Sequence, residues 1–256
     1  MRLMTKPTTA LRRIMAVIVL GVTVMAVPAA VSAQVNGDKE TEPRILPKLK
    51  REKPDMERIK AETHNPRSPY YYPRLMEEYL RNDTLMKIDK FRRLYLGYLF
   101  QEDYTPYRSS EHQIEYQGPA KVSREECDRI IASAEAALAD DPFDLRQMML
   151  LINALREKGK TNLAAIWQYK LNYLLMAIVS TGTGQDEENA WYVIEPQHEY
   201  VLLNMLNYYV DGHVFYDPYY EYITVTDGAG NDLGGYYFNI KNLLEEYYRK
   251  HPEEIE

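Results

Sequence analysis

The stretch SREECDRIIASAEAALADDPFDLRQMMLLINALREKGKTNLAAIWQYKLNYLLMAIV, residues 123–179, decides the fold class of this chain. Ser123 and Glu126 have the spacing of a capping box, which marks the start of a helix. Asp141-Pro142 interrupts the helical periodicity, and Gly159 supplies a left-handed stop. The stretch therefore predicts three helices, and their short connections make them pack side by side.

Two further helices are predicted upstream of this stretch. Pro73 suits the first turn of a helix, and no strong helix breaker follows as far as Arg81. Apolar residues between Ile88 and Leu99 recur at three- and four-residue steps, which places them on one face of a second helix. Prolines and polar residues over 103–119 predict an irregular segment.

The periodicity changes after Thr181-Gly182-Thr183-Gly184. Three stretches are typical of strands: residues 191–194, 219–226 and 235–238. The last two flank the turn Asp227-Gly228-Ala229-Gly230, so we expect a small antiparallel sheet. Residues 198–206 favour a helix.

A closing helix is predicted over residues 240–250, with Asn239 as its cap. Together these patterns predict an α+β fold. Its helical body covers residues 70–181, and the small antiparallel sheet and the closing C-terminal helix follow over residues 182–256.

Residues 1–33 have the pattern of an export signal. Basic residues at positions 2, 6, 12 and 13 precede an apolar run over residues 14–31, and Val31-Ser32-Ala33 completes the pattern. We expect cleavage after Ala33 and a periplasmic or secreted product. The alternative is an uncleaved anchor, but the apolar run is barely long enough to span a bilayer, and Pro28 favours cleavage.

Residues 34–69 combine dense charge and five prolines with no aromatic residue. Such a composition buries too little apolar surface to order the chain. The sequence therefore predicts a flexible charged linker over 34–69, between a signal peptide over 1–33 and a single α+β domain over 70–256.

Charge and cysteine content exclude several classes of protein. The formal net charge is -7, and it falls to -11 without the predicted signal peptide, which holds four basic and no acidic residues. We therefore expect no nucleic-acid partner. Cys127 is the only cysteine, so no disulfide forms within the chain. No later apolar run approaches the roughly 20 residues of a membrane helix, so we expect no membrane span after cleavage.

Residues 124–176 resemble tetratricopeptide helical hairpins. Asp141-Pro142 falls between two predicted helices, and five residues sit near the small and apolar positions of the repeat: Met148, Leu151, Leu155, Gly159 and Ala164. About one and a half units can be traced. The resemblance implies peptide or protein binding.

A second resemblance extends from Tyr70 to the last predicted helix. It rests on five stretches: Tyr70-Tyr71-Tyr72-Pro73, Gly97-Tyr98-Leu99-Phe100-Gln101 with Tyr104 and Pro106-Tyr107, Trp191-Tyr192-Val193-Ile194, His198-Glu199-Tyr200 with Leu203-Asn204-Met205-Leu206, and Gly235-Tyr236-Tyr237-Phe238-Asn239-Ile240. Together they resemble an exported bacterial family known as domain of unknown function 4919. The resemblance implies an exported protein of mixed architecture, and it implies no activity, cofactor or catalytic residue.

Residues 171–240 contain no lysine or arginine and ten acidic residues. A hard cation or a basic partner surface would relieve the repulsion between these carboxylates. The alternative is that they are dispersed over a solvated surface and contacted by basic residues of other segments.

Three residues are candidates for acid/base catalysis: His198, Glu199 and Asp217. Four residues are candidate metal ligands: His198, Glu195, Glu199 and His213. No short spacing between histidines supports either assignment. The alternative is that His198 makes one structural hydrogen bond at a helix start.

Six tyrosines cluster on the predicted strands or just before them: Tyr216, Tyr219, Tyr220, Tyr222, Tyr236 and Tyr237. Alternation along a strand exposes one set and buries the other. Exposed tyrosine suits both sugar and protein surfaces, whereas the buried set belongs to the core.

These observations favour an exported, non-catalytic binding or assembly module with a protein partner in the cell envelope. Two alternatives remain at this point. One is a metal-dependent or acid/base hydrolase that uses His198 and nearby carboxylates, and the other is a glycan-binding module that uses the strand tyrosines. We expect no cofactor.

Overall fold

The computed structural model describes residues 49–114 and 123–254. The predicted signal peptide, its cleavage after Ala33 and the first part of the predicted linker lie outside the described residues. Within them the helices are α1 (Met56–His64), α2 (Tyr72–Leu80), α3 (Ile88–Tyr98), α4 (Arg124–Asp140), α5 (Leu145–Glu157), α6 (Thr161–Val179), α7 (Gln197–Met205) and α8 (Lys241–Lys250). The strands are β1 (Trp191–Tyr192), β2 (Tyr209–Tyr216), β3 (Tyr220–Thr226) and β4 (Asp232–Asn239). The predicted α+β class is confirmed.

The prediction of a flexible linker over 34–69 is wrong for the part that the structure describes, residues 49–69. The side chain of Asp55 caps α1 by accepting from the Arg58 amide at 2.9 Å. Ile59 and Thr63 form the buried face of this helix. Because they are four residues apart, they line one helical face, and the high charge of the segment masks that spacing.

A glycine brings α1 close to α3. A Cβ at Gly97 would lie only 2.6 Å from Cγ2 of Thr63, so no other residue fits without a shift of the Thr63 side chain or of one of the two helices. The preceding chain is also held, because Arg92 donates to the backbone oxygens of Glu52 and Ser180, and the amide of Glu52 donates to the same oxygen of Ser180. Residues 49–69 are therefore part of the folded body.

The helices α4, α5 and α6 follow one another closely and pack in sequence order, and α6 also packs against α3. The predicted signals at their ends are present. Oγ of Ser123 accepts from the Glu126 amide at 3.1 Å, and Gly159 adopts a left-handed φ of 72°. Asp144 caps α5 by accepting from the Gln147 amide at 2.9 Å. These signals mark where α4 and α5 begin and where α5 ends.

The sheet is mixed, with the strand order β1-β4-β3-β2. β2 pairs with β3 and β3 pairs with β4 in antiparallel fashion, whereas β1 pairs with β4 in parallel. The small sheet is therefore antiparallel, as predicted, over β2, β3 and β4, whereas β1 adds a parallel strand. β2 does not stand out in the sequence, because Asp211 and Gly212 interrupt its apolar residues and a register shift between Val210 and Gly212 disturbs the alternation.

The two faces of the sheet differ in burial. On β3, Glu221, Ile223 and Val225 are buried, and both apolar residues belong to the hydrophobic core. The intervening Tyr222 and Thr224 are only half-buried. We call the face of Glu221, Ile223 and Val225 the inner face and the other the outer face. Among the described residues, no helix is long and apolar enough to cross a membrane.

Candidate functional site

Glu199, His213 and Glu221 converge on the inner face of the sheet. Glu199 lies on α7, His213 on β2 and Glu221 on β3. In the antiparallel register His213 lies opposite Ile223, and Phe215 lies opposite Glu221, so His213 and Glu221 are diagonal neighbours on one face. One ligand atom from each of the three residues lies within 4.8 Å of the other two. We call these three residues the Glu199 cluster.

The Glu199 cluster contains polar atoms without hydrogen-bond partners. Glu199 is 0% exposed, and neither of its carboxyl oxygens has a hydrogen-bond partner among the described residues. Nε2 of His213 lies 3.4 Å from Oε2 of Glu221 without forming a hydrogen bond. The side chain of Glu221 is 2% exposed and that of His213 is 16% exposed. The imidazole is therefore the part of the cluster nearest to solvent.

Burial raises the pKa of the Glu199 carboxyl well above its usual range. The charge of Glu221, and a carboxyl–carboxyl hydrogen bond that a proton shared with Glu221 would form, act in the same direction. No lysine or arginine of the described residues forms an ion pair with either carboxylate. Two buried carboxyl groups so close together need a proton or a cation between them. The cluster can therefore hold a proton or a metal ion.

His198 lies next to Glu199 in the sequence, but both of its ring nitrogens are engaged elsewhere. Tyr95 Oη donates to Nδ1 at 2.8 Å, and Nε2 donates to the backbone oxygen of Phe143 at 3.0 Å. The ring is 0% exposed, and burial lowers its pKa to about 3. In this arrangement His198 has no free nitrogen for a metal ion or for proton transfer.

Glu195 belongs to a second buried group. Its Oε2 accepts from Nε2 of Gln197 at 2.7 Å, and its Oε1 has no partner among the described residues. Burial, and then the charge of Asp144, raises the pKa of Asp141 to about 6. Burial, and then the charge of Asp141, raises the pKa of Glu195. This group lies between the α4–α5 connection and the start of α7, and we assign it no ligand.

The remaining acidic residues of 171–240 do not join either group. Asp217 lies exposed in the connection between β2 and β3, whereas His198 and Glu199 are buried, so these three candidates do not form one site. Five further acids are exposed: Asp186, Glu187, Glu188, Asp211 and Asp232. Asp227 accepts from backbone amides of the hairpin turn that it begins. Of the ten acids, only Glu195, Glu199 and Glu221 are buried.

The six strand tyrosines divide between the two faces of the sheet. Tyr216, Tyr222 and Tyr237 lie side by side on the outer face, with ring centroids 4.6–6.0 Å apart. We call them the tyrosine cluster. Tyr236 lies on the inner face, where it stacks on Trp191 at 4.9 Å and donates to Oη of Tyr208. Tyr219 and Tyr220 pack against each other at the start of β3.

Glu199 and His213 are among the candidates predicted from the sequence, whereas Glu221 is not. Its burial can be read from the sequence, because Glu221 alternates with Ile223 and Val225 and therefore shares their buried face. Its approach to Glu199 depends on how α7 packs against the sheet, and no local pattern encodes that contact. The role of Tyr95 was missed for the same reason.

Comparisons with known proteins identify a family but no activity. No curated protein and no solved structure matches this chain. A family model described as domain of unknown function (DUF4919) matches residues 57–249, which include nearly all of α1 and every residue of the Glu199 cluster and the tyrosine cluster. The chain therefore belongs to the DUF4919 family.

Proposed function

We propose that this protein is an exported, non-catalytic binding module of the cell envelope that binds an extended, basic segment of a protein partner. The segment lies along the edge strand β2 and over the tyrosine cluster. Export is supported by the basic, apolar and small-residue pattern of residues 1–33. The observation that carries the binding surface is the tyrosine cluster on the outer face of the sheet.

The tyrosine cluster lies apart from the core. Tyr216 is 41% exposed, and Tyr222 and Tyr237 are half-buried, yet none of the three packs against the hydrophobic core. Val214, 48% exposed, extends the apolar surface along β2. Tyrosine is enriched in protein interfaces because it combines a large apolar ring with one hydroxyl at low entropic cost.

The cluster adjoins an open sheet edge. β2 is the last strand in the order β1-β4-β3-β2, so only one of its sides pairs with another strand of the described chain. The backbone groups on its other side can accept an added strand, and side chains of that strand would then reach the tyrosine cluster.

Charge favours a basic segment. No lysine or arginine occurs over residues 171–240. Burial raises the pKa of the Tyr237 hydroxyl, followed by its two neighbours in the tyrosine cluster and then by the charges of the exposed Glu187 and Asp186, which therefore lie close to it. A basic strand would therefore meet complementary charge beside the tyrosine cluster.

The ring geometry favours protein over glycan. The rings of the tyrosine cluster are inclined by 44° (Tyr222–Tyr237), 58° (Tyr216–Tyr237) and 88° (Tyr216–Tyr222). They do not form one flat platform on which a row of sugar rings could stack. Inclined rings present edges, faces and hydroxyls to side chains of varied shape, as in protein interfaces.

A peptide array tests the proposal. Eight-residue peptides that alternate lysine with valine or threonine match the length of β2. We expect them to bind the purified protein, and matched peptides with glutamate in place of lysine not to bind. Tyr216→Ala and Tyr222→Ala should each weaken binding roughly tenfold, as truncation of a central aromatic contact does.

The matched control is Leu163→Ala, because Leu163 is 45% exposed on α6 and lies outside the sheet. This variant should bind the basic peptides as the unchanged protein does. A polysaccharide array run in parallel decides between ligand classes. Binding to glycans alone, with loss in the tyrosine variants, would replace the proposal with a glycan-binding module. If the protein bound neither the peptides nor the polysaccharides, the tyrosine cluster would be rejected as a binding surface.

A further inference from the structure

The Glu199 cluster has a composition that ordinary packing does not explain. Its two carboxyl groups and one imidazole come from three separate elements, α7, β2 and β3, and meet in the interior. Buried carboxylates normally accept several hydrogen bonds or pair with a basic side chain. Glu199 does neither within the described chain, although it is fully buried.

The unpaired atoms all belong to types that ligate metal ions. Both oxygens of Glu199 and Nε2 of His213 lack hydrogen-bond partners among the described residues, and Nε2 lies 3.4 Å from Oε2 of Glu221. A dication would neutralise two carboxylates and leave a site without net charge. It would also supply a partner for unpaired atoms on both Glu199 and His213.

We propose that Glu199, His213 and Glu221 bind one divalent transition-metal ion, with Zn²⁺ the ion of best fit. Zinc accepts imidazole nitrogen and carboxylate oxygen at about 2.0–2.2 Å, so ligand atoms around one ion lie at most about 4.4 Å apart. The ligand atoms here lie within 4.8 Å of one another, so small side-chain movements complete the site. Three protein ligands leave a fourth position for water, as zinc sites of this type do.

Hard cations fit the cluster less well. Ca²⁺ takes six to eight oxygen ligands, and two carboxylates with one imidazole cannot supply them. Mg²⁺ keeps most of its water and does not favour a buried site that contains nitrogen. Ion entry is possible from the side of His213, which is the most exposed member at 16%.

The site differs from the ligand set that the sequence suggested. His198 is not a ligand, because both of its ring nitrogens form hydrogen bonds, and Glu195 is not a ligand, because it belongs to the group around Asp141. The third ligand is Glu221. The rival explanation for the same geometry is one proton shared between Glu199 and Glu221, which needs no ion.

The test begins with the purified protein stripped by chelator and titrated calorimetrically with ZnCl₂, then with CaCl₂. We expect one high-affinity zinc ion per chain and no comparable calcium binding. Zinc at about a hundred times its dissociation constant should raise the thermal midpoint by roughly 5–10 °C. Co²⁺ in place of Zn²⁺ should give visible absorption bands that report nitrogen and oxygen ligation directly.

Variants separate this site from others. Glu199→Gln keeps the shape of the side chain, and His213→Ala removes the most exposed ligand, so circular dichroism can verify that both still fold. Each should weaken zinc binding by at least roughly tenfold and abolish the cobalt bands. Asp211→Asn, an exposed acid two residues before His213 on the same strand, should change neither.

A second group of possible ligands supplies the decisive control. His251, Glu253 and Glu254 also lie within reach of one ion, but at the C-terminal end of the described chain and partly exposed. Zinc binding that is lost in His251→Ala and kept in His213→Ala would overturn the proposal in favour of a surface site. Absence of zinc binding, with Glu199→Gln raising the midpoint of the metal-free protein, would overturn it in favour of the shared proton.

Discussion

The hydroxyl of Tyr95 lies 2.8 Å from Nδ1 of His198, across 103 residues of chain. The same hydroxyl accepts from the amide of Ile194 at 3.3 Å. One side chain on α3 thereby satisfies both a backbone amide shortly before α7 and the imidazole on α7. This contact joins the helical body to the part of the chain that forms the sheet.

Tyr95→Phe should lower the free energy of unfolding by roughly 2 kcal/mol, because it leaves a buried amide and a buried imidazole nitrogen without partners. Urea unfolding measures the change. Tyr71→Phe serves as the control, since Tyr71 is only half-buried and forms no side-chain hydrogen bond within the described residues. An effect below about 0.5 kcal/mol would contradict the structural role of this contact.

Gly97→Ala should destabilise the protein by roughly 1–3 kcal/mol, because its Cβ would press on Cγ2 of Thr63 at 2.6 Å and displace α1. Alanine has a higher helix propensity than glycine, so any loss of stability in this variant is due to the clash. Thr63→Ser removes Cγ2 and keeps the hydroxyl that donates to the Ile59 oxygen. The double variant should recover most of the stability. A stabilising Gly97→Ala would show that α1 is not docked.

Asp141→Asn should stabilise the protein at pH 7 and do little at pH 4. Burial and the charge of Asp144 raise the pKa of Asp141 to about 6 in the folded state, against an ordinary value of 3.8. The folded protein therefore binds more protons between these values, and its stability falls as the pH rises from about 4 to 6. Asparagine removes the buried charge and keeps an acceptor for the Phe143 amide.

We expect a gain of roughly 1–3 kcal/mol at pH 7 from urea unfolding of this variant. Glu125→Gln, an exposed acid in the first turn of α4, is the control for a general change in charge. A gain that is equal at pH 4 and pH 7 would contradict the assignment of the shift to Asp141.

Lys170 is buried against the rings of Tyr79 and Trp167, at 4.3 and 4.4 Å from the ring centroids. Burial lowers its pKa to about 8. The ordinary pKa of a lysine is 10.5, so between pH 8 and pH 10.5 the unfolded chain keeps a proton on Lys170 that the folded chain has released. The free energy of unfolding therefore rises with pH in that window.

The stability of the unchanged protein relative to Lys170→Met should rise by roughly 2 kcal/mol between pH 8 and pH 10. The comparison with the variant cancels the opposing contribution of the tyrosines. Chemical unfolding at several pH values measures it. A difference that does not vary with pH would mean that Lys170 keeps its proton through this window.

Local signals in the sequence account for most of the helices. The serine at 123, the Asp141-Pro142 break and Gly159 each act within one turn of chain, so their effect can be predicted without knowledge of the fold. The closing helix and the strand at β3 follow from periodicity in the same way. Where signals are local, prediction agrees with the structure.

The wrong predictions concern features that depend on contacts between residues far apart in the sequence. The segment of α1 has a composition typical of disorder. It is ordered because Gly97 lets α1 pack closely on α3 and because Arg92 donates to the backbone oxygen of Glu52. His198 looks reactive in the sequence, but its partners come from α3 and from Phe143. Alternation along β3 places Glu221 on the buried face, but only the packing of α7 places it beside Glu199.

The pairing of β1 with β4 has a consequence for the order of folding. The strands β2, β3 and β4 form consecutive hairpins that need only short loops to close, whereas Trp191 must find Phe238 beyond α7 and both of those hairpins. Closure of so long a loop costs conformational entropy that the hairpins do not incur. We therefore expect the three-stranded meander to assemble first and Trp191 to dock last, so that the fluorescence of Trp191, read in a Trp167→Phe variant, follows the final step of folding.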